Sequence, residues 1–239
     1  MDRRGSSLIE ALLSMCLLAV ATLAGLEAFS AGRRVFFRMD AAEERDTRAA
    51  AGLDRARLDA REAGGGLADA IRLGFVAGIA AAEQGFIVAS LDKAAEPGGS
   101  IAAGDDFIPL TDTTGFATGR MVCLLAADGG EARTVSAVLI DGIRLSAPLG
   151  RGYPAGEAVL LLIRTVEIFL DEGSVTLRRR VNGSSAQPLI ENVADFSCRL
   201  DDGAKTITME LCLEGGGNAI YAATVLGKNL WLNGSRDEE

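Results

Sequence analysis

The longest uninterrupted apolar stretch of the chain lies at residues 11–26 (ALLSMCLLAVATLAGL), and a carboxylate, Glu10, stands directly before it. A helix over residues 6–26 rises roughly 31 Å at about 1.5 Å per residue, close to the thickness of a bilayer core. An ionised carboxylate at the edge of hydrocarbon costs about 2 to 3 kcal/mol on insertion scales, so Glu10 calls for a partner. Residues 27–63 hold no proline and are rich in Ala, Arg, Glu and Leu, which predicts that the helix continues. Phe29, Phe36, Met39 and Leu53 are its expected apolar contacts, with Arg33, Arg34, Arg38, Glu43, Glu44 and Arg45 solvating the other sides. Gly64-Gly65-Gly66 predicts the stop.

Beyond the glycines the period changes. Residues 67–104 read as irregular structure with short strands, since Gly74, Gly78 and Gly85 interrupt an apolar stretch and Asp69, Arg72 and Glu83 bar a second span. Strands are expected at residues 107–110, 121–126, 132–140, 143–145 and 158–163, with turns at Asp128-Gly129 and Asp141-Gly142. A hairpin follows at 165–170 and 174–181, turning at Asp171-Glu172-Gly173; Val166, Ile168 and Leu170 alternate with Thr165, Glu167 and Phe169. A second hairpin at 193–200 and 206–213 precedes strands at 222–226 and 230–232. Arg178-Arg179-Arg180 reads as an edge strand whose charge resists unwanted pairing. The expected fold class is α+β, a long N-terminal helix packed on a β-rich head of antiparallel sheets.

Composition narrows the partners. The 239 residues carry a net charge of −9, and removing residues 1–5, which contribute +1, leaves −10. So acidic a body is a poor non-specific binder of nucleic acid, because phosphate contacts need Lys and Arg. Hydrophobic residues make up 49%, but only one stretch reaches spanning length.

The chemistry of acid–base catalysis and metal binding finds little footing. There is no histidine, no GxSxG elbow and no phosphate-binding GxxxxGK[ST] loop, and we expect neither an enzyme nor a cofactor. Asp105-Asp106, Asp171-Glu172 and Asp201-Asp202 each lie beside glycine in an expected turn, and none matches a calcium loop. Cys16, Cys123, Cys198 and Cys212 lack a CxxC pair, and strand parity puts Cys198 and Cys212 out of register, so buried free thiols are expected.

The segment RRGSSLIEALLSM resembles the leader of type IV prepilins. That resemblance implies cleavage after Gly5 by a prepilin peptidase, which recognises Arg3 and Arg4, and methylation of the new N-terminus at Ser6. It makes Glu10 the subunit-assembly residue, which meets the N-terminal ammonium of a neighbouring subunit. Ammonium and carboxylate offset each other's desolvation only when both are present. Family members usually carry Phe where Ser6 stands and often Thr where Ser7 stands. An ordinary secretory signal differs, because no small-x-small cleavage site with a polar mature start follows the apolar run.

Further segments resemble PilW-type and J-type minor pilins in order: residues 57–66 (RLDAREAGGG), 143–180, LIENVADFSCRLDDG and TVLGKNLW. The implied layout is a leader at 1–5, a transmembrane and assembly helix at 6–28, an amphipathic helix at 29–66, a head at 67–235 and an acidic tail at 236–239. The resemblance implies a minor pilin in the inner membrane, its head in the periplasm, later part of a pilus at the cell surface, with other pilin subunits and the prepilin peptidase as partners. Type II secretion and competence pseudopilins share these features, and a single-span adhesin or receptor is the alternative of another class.

Overall fold

The computed structural model of the protein describes residues 4–201, 206–214 and 219–227, and of residues 4–7 only the backbone. The fold is α+β. Helix α1 runs over Arg4–Arg61, 58 residues, and ends in a turn at residues 62–66 where Gly64 and Gly66 take φ of 69° and 73°. Those left-handed angles, cheap only for glycine, break the helix where the glycine triplet predicts. The chain divides into two compact units, Met1–Arg48 and Ala49–Glu239.

In the first unit every described side chain from residue 8 to 41 is exposed. This departs from expectation at Phe29, Phe36 and Met39, which are 70%, 66% and 67% exposed. The burying face begins only at Ala49. Ala49, Leu53, Ala56, Ala60 and Ala63 recur at intervals of three and four, put small side chains on one stripe, and are all buried. The stripe lets the backbone come close: a Cβ added to Gly52 would sit 2.1 Å from Ile190 Cγ1.

Residues 67–104 are more regular than their glycines suggest. A short helix α2 (Ala68–Arg72) leads into β1 (Ile79–Ala82) and the eleven-residue β2 (Gly85–Ala95), antiparallel to each other. Gly85 begins a strand here: a Cβ there would lie 1.9 Å from Ile168 O, so the glycine is what lets β2 approach its neighbour. Next come β3 (Phe107–Pro109), β4 (Met121–Ala126), β5 (Gly129–Leu139), β6 (Gly142–Leu145), β7 (Ala158–Asp171), β8 (Thr176–Val181) and β9 (Gln187–Glu191). The strand β9 has no counterpart in the sequence reading. The turns before β5 and β6 fall one residue earlier than expected, at Ala127-Asp128 and Ile140-Asp141.

The residues expected as two strands at 158–163 and 165–170 form one, β7, which organises a nine-stranded sheet. β2 pairs along nearly its whole length on one side. On the other side β4 takes residues 158–162 and β8 takes 166–171. Leu160, Leu162, Val166, Ile168 and Leu170 are buried on one face, Leu161 and Ile163 on the other. The first half of β7 is thus covered on both faces, which explains its continuous apolar run. The turn into β8 also differs: the positive φ belongs to Val175, at 51°, and not to Gly173.

A second sheet is formed by β10 (Val193–Asp201), β11 (Thr206–Leu213) and β12 (Ile220–Leu226), all antiparallel. Phe196 of β10 and Ile207, Met209, Leu211 and Leu213 of β11 share a core with the buried stripe of α1 and with Phe86, Val88, Val166 and Ile168. A separate core lies between β3–β7 and the loops carrying Ile101, Phe116, Leu149 and Tyr153. The strand expected at 230–232 and the tail at 236–239 lie outside the described residues, as does Asp202.

Candidate functional site

Glu10 is exposed on α1, with neither a hydrogen bond nor an ion pair to another described side chain. The other polar groups of the apolar segment are satisfied by the helix itself. Ser14 Oγ donates to the Glu10 carbonyl oxygen at 2.8 Å, and Thr22 Oγ1 to the Leu18 carbonyl at 2.6 Å. Glu10 is the one charged side chain among residues 8–26. This helix is long and apolar enough to cross a membrane, by length and composition. Arg4, Gly5 and Ser6 belong to α1 by backbone; their side chains, and all of Arg3, lie outside the described residues. Cys16 is exposed on the same helix.

In the head, the polar side chains are committed to one another. Asp59, 4% exposed, accepts two hydrogen bonds from Arg179, at 2.6 Å from Nε and 2.9 Å from Nη2. Arg55 and Arg164 stand 3.6 and 3.8 Å from the same carboxylate. The hydrogen bonds it donates to Asp59 raise the pKa of the Arg179 guanidinium above its ordinary value. Arg178 and Arg180 pair with Asp171 and Glu167 at 2.8 and 2.9 Å. Because β8 pairs with β7 on one side and β9 on the other, the arginine triplet is not on an edge strand. It serves internal ion pairs, and the central arginine clamps α1 to the sheet. The available signal was positional: Asp59 follows Gly52 and Ala56 at helical spacing, on the small-residue face.

Glu131 forms a second node. Its carboxylate accepts from Gly150 N at 2.8 Å, Arg151 N at 3.0 Å, Arg133 Nη2 at 2.5 Å and Tyr153 Oη at 3.3 Å, holding the proline-containing loop 146–157 against β5. Burial, reinforced by this carboxylate, pushes the Tyr153 phenol well above its usual range. The turn acids also serve the fold: Asp105 accepts from Ala102 N, and Asp171 from Ser174 and Arg178. No group of three or more metal-ligating side chains occurs among the described residues.

The four thiols are free, but only Cys123 is fully buried; Cys198 and Cys212 are half-buried and Cys16 exposed, so the expectation of burial fails for three of them. Cys198 faces Met209 and Cys212 faces Asp195, the register that strand parity predicts. Burial pushes both Cys123 and Cys198 up to about 11, which keeps them protonated at neutral pH.

Depressions formed by described residues of the head include the following two. One, of about 140 Å³, is lined by Arg120, Thr134, Thr165 and Asn182. The other, of about 450 Å³, lies between α1 at Leu53, Asp54 and Arg57 and β12 at Tyr221–Thr224. Neither holds a paired nucleophile and base. No protein-family model matches the chain, and no curated protein matches it in sequence.

Proposed function

We propose that the protein is a structural subunit of a type IV pilin-like filament, a minor pilin that is cut after Gly5, anchored by α1 in the inner membrane and incorporated into a pilus or its priming complex. The observation that carries this reading is Glu10: a carboxylate without a partner among the described side chains, in a helix of membrane-spanning length and composition that follows Arg3-Arg4-Gly5. A simple anchor gains nothing from a charge that costs about 2 to 3 kcal/mol in hydrocarbon. An assembly contact does, because a neighbouring subunit's N-terminal ammonium at Ser6 recovers that cost when the two meet. The α+β architecture, with a long helix continuing into an antiparallel β-rich head, suits a pilin-like subunit and supports the reading. In this reading the head faces the periplasm and meets other pilin subunits.

The test has two arms. Gly5→Val is expected to block maturation in cells carrying the peptidase, read by intact mass of the purified protein, which also reports a methyl group on Ser6. Normal N-terminal processing of that variant refutes the proposal. Glu10→Ala is expected to remain in the membrane but fail to enter filaments, whereas an anchored adhesin or receptor would tolerate it.

A further inference from the structure

Beyond the apolar span, α1 carries charges that its own sequence neutralises only in part. Arg34 and Arg38 are four residues apart, as are Asp40 and Glu44, and all four are exposed. Side chains at this spacing stand one above the other on a helix, and like charges so placed repel by a few tenths of a kcal/mol. A helix selected only for its own stability would interleave the signs. Arg34 is tied to the Ser30 carbonyl, at 3.3 Å from Nε, and Glu44 to Arg48 at 2.5 Å. Arg38 and Asp40 have no ion-pair partner among the described residues. The exposed aromatic residues Phe29, Phe36 and Phe37 and Met39 lie along the same stretch.

The two pairs share one spacing and are offset by six residues. We infer that residues 29–48 of α1 dock a second copy of this chain, parallel and displaced by six residues, so that Arg34 and Arg38 of one copy meet Asp40 and Glu44 of the other. The inference rests on the filament-subunit reading above. Copies carrying the same apolar span stand parallel in one bilayer, which excludes the antiparallel arrangement. An unshifted parallel pair would put Arg34 and Arg38 level with their own copies. A shift of six residues, about 9 Å along the axis, brings both opposite pairs level at once.

Six residues also turn about 120° around the helix, so the basic and the acidic ladder occupy different faces. Each copy then offers one face to the copy above and another to the copy below. That contact is heterologous, and it propagates instead of closing on a two-fold pair. A displacement of four residues in the same direction sets the N-terminus at Ser6 level with Glu10. The two requirements differ by two residues, about 3 Å, which side-chain reach absorbs. The exposed aromatic stretch supplies apolar area for the same contact.

Cysteine cross-linking between two differently tagged full-length copies in membranes tests this, with Cys16, Cys123, Cys198 and Cys212 replaced by alanine. Arg34→Cys in one copy with Asp40→Cys in the other, and Arg38→Cys with Glu44→Cys, are expected to cross-link. Arg34→Cys in both copies is not. In the cysteine-containing protein, Arg34→Glu with Arg38→Glu in one copy should lower co-purification about twofold, because it removes the ion pairs from one of the two orders in which the tagged copies stack. Asp40→Arg with Glu44→Arg in the other copy should restore it. Absence of the mixed cross-links, or equal yield from like positions, overturns the inference. A normally cut leader with no mixed cross-link removes only the ladder; mixed cross-links on a protein whose Gly5→Val variant is processed normally remove only the pilin reading.

Discussion

Replacing Asp59 by asparagine should destabilise the head more than any neutralisation of its partners. Among the described residues Asp59 is the one carboxylate paired with Arg179, Arg55 and Arg164, and Arg179 has a side chain only 10% exposed. Asp59→Asn keeps the shape but leaves a buried guanidinium without a counter-charge, and breaking a buried pair from one side costs about 3 to 5 kcal/mol. Arg179→Met is milder. It leaves Asp59 with Arg55 and Arg164, whose side chains are 49% and 31% exposed and whose ion pairs water screens, so a loss of about 1 to 2 kcal/mol is expected. Asp59→Leu combined with Arg179→Met should recover much of the loss, since an apolar pair can replace a buried ionic one at little cost. The assay is urea unfolding of the full-length protein in detergent micelles, followed by circular dichroism, or the melting temperature. At about 2–4 °C per kcal/mol for a unit of this size, Asp59→Asn lowers Tm by about 6–20 °C. A loss below about 1 kcal/mol for Asp59→Asn, or a larger loss for Arg179→Met, would refute the reasoning, because the clamp would then not be the buried contact that its geometry describes.

Three further outcomes follow from the head. Val175→Gly should stabilise it by about 1 kcal/mol, because a β-branched residue at φ 51° pays a steric penalty that glycine does not; an unchanged or lower Tm would contradict this. Gly85→Ala should lose the β2–β7 pairing or fail to fold, as its Cβ would overlap Ile168 O, whereas Gly52→Ala overlaps the Ile190 side chain, with the Leu189 carbonyl oxygen 3.3 Å away, and should be partly rescued by Ile190→Ala. Hydrogen bonds from Lys93, from Arg151 and from Ser174 with Arg178 hold Asp112, Asp128 and Asp171 below the ordinary aspartate value of 3.8. A carboxylate depressed on folding adds stability that is fully present above 3.8 and is lost as pH falls below it, so Tm should be flat from pH 7 to 5 and drop under pH 4; a Tm that rises on acidification through that range would exclude the effect.

The legible parts of the fold are those in which local pattern and environment agree. The alternating β6 and β11 fall within a residue or two of where the sequence places them, because a half-buried strand writes its face into every second residue. Residues 67–104 were illegible for the opposite reason. Glycines that read as interruptions are there because β2 lies against β7 with no room for a Cβ at Gly85, a fact about the neighbour and not about the segment. Likewise Arg164 looked like a break between two strands, while tertiary pairing carries β7 straight through it.

For the candidate site the balance reverses. Glu10 and its apolar setting, and the matched ladders Arg34/Arg38 and Asp40/Glu44, are written in the chain itself, because helical spacing fixes which charges share a face whatever else the protein does. That Arg179 is an internal clamp and not a surface charge could be decided only by the tertiary structure. A run of three arginines has the same sequence on an edge strand as in a sheet interior, and what distinguishes them is Asp59, 120 residues away, whose burial on the small-residue stripe of α1 gives one of the three an internal partner.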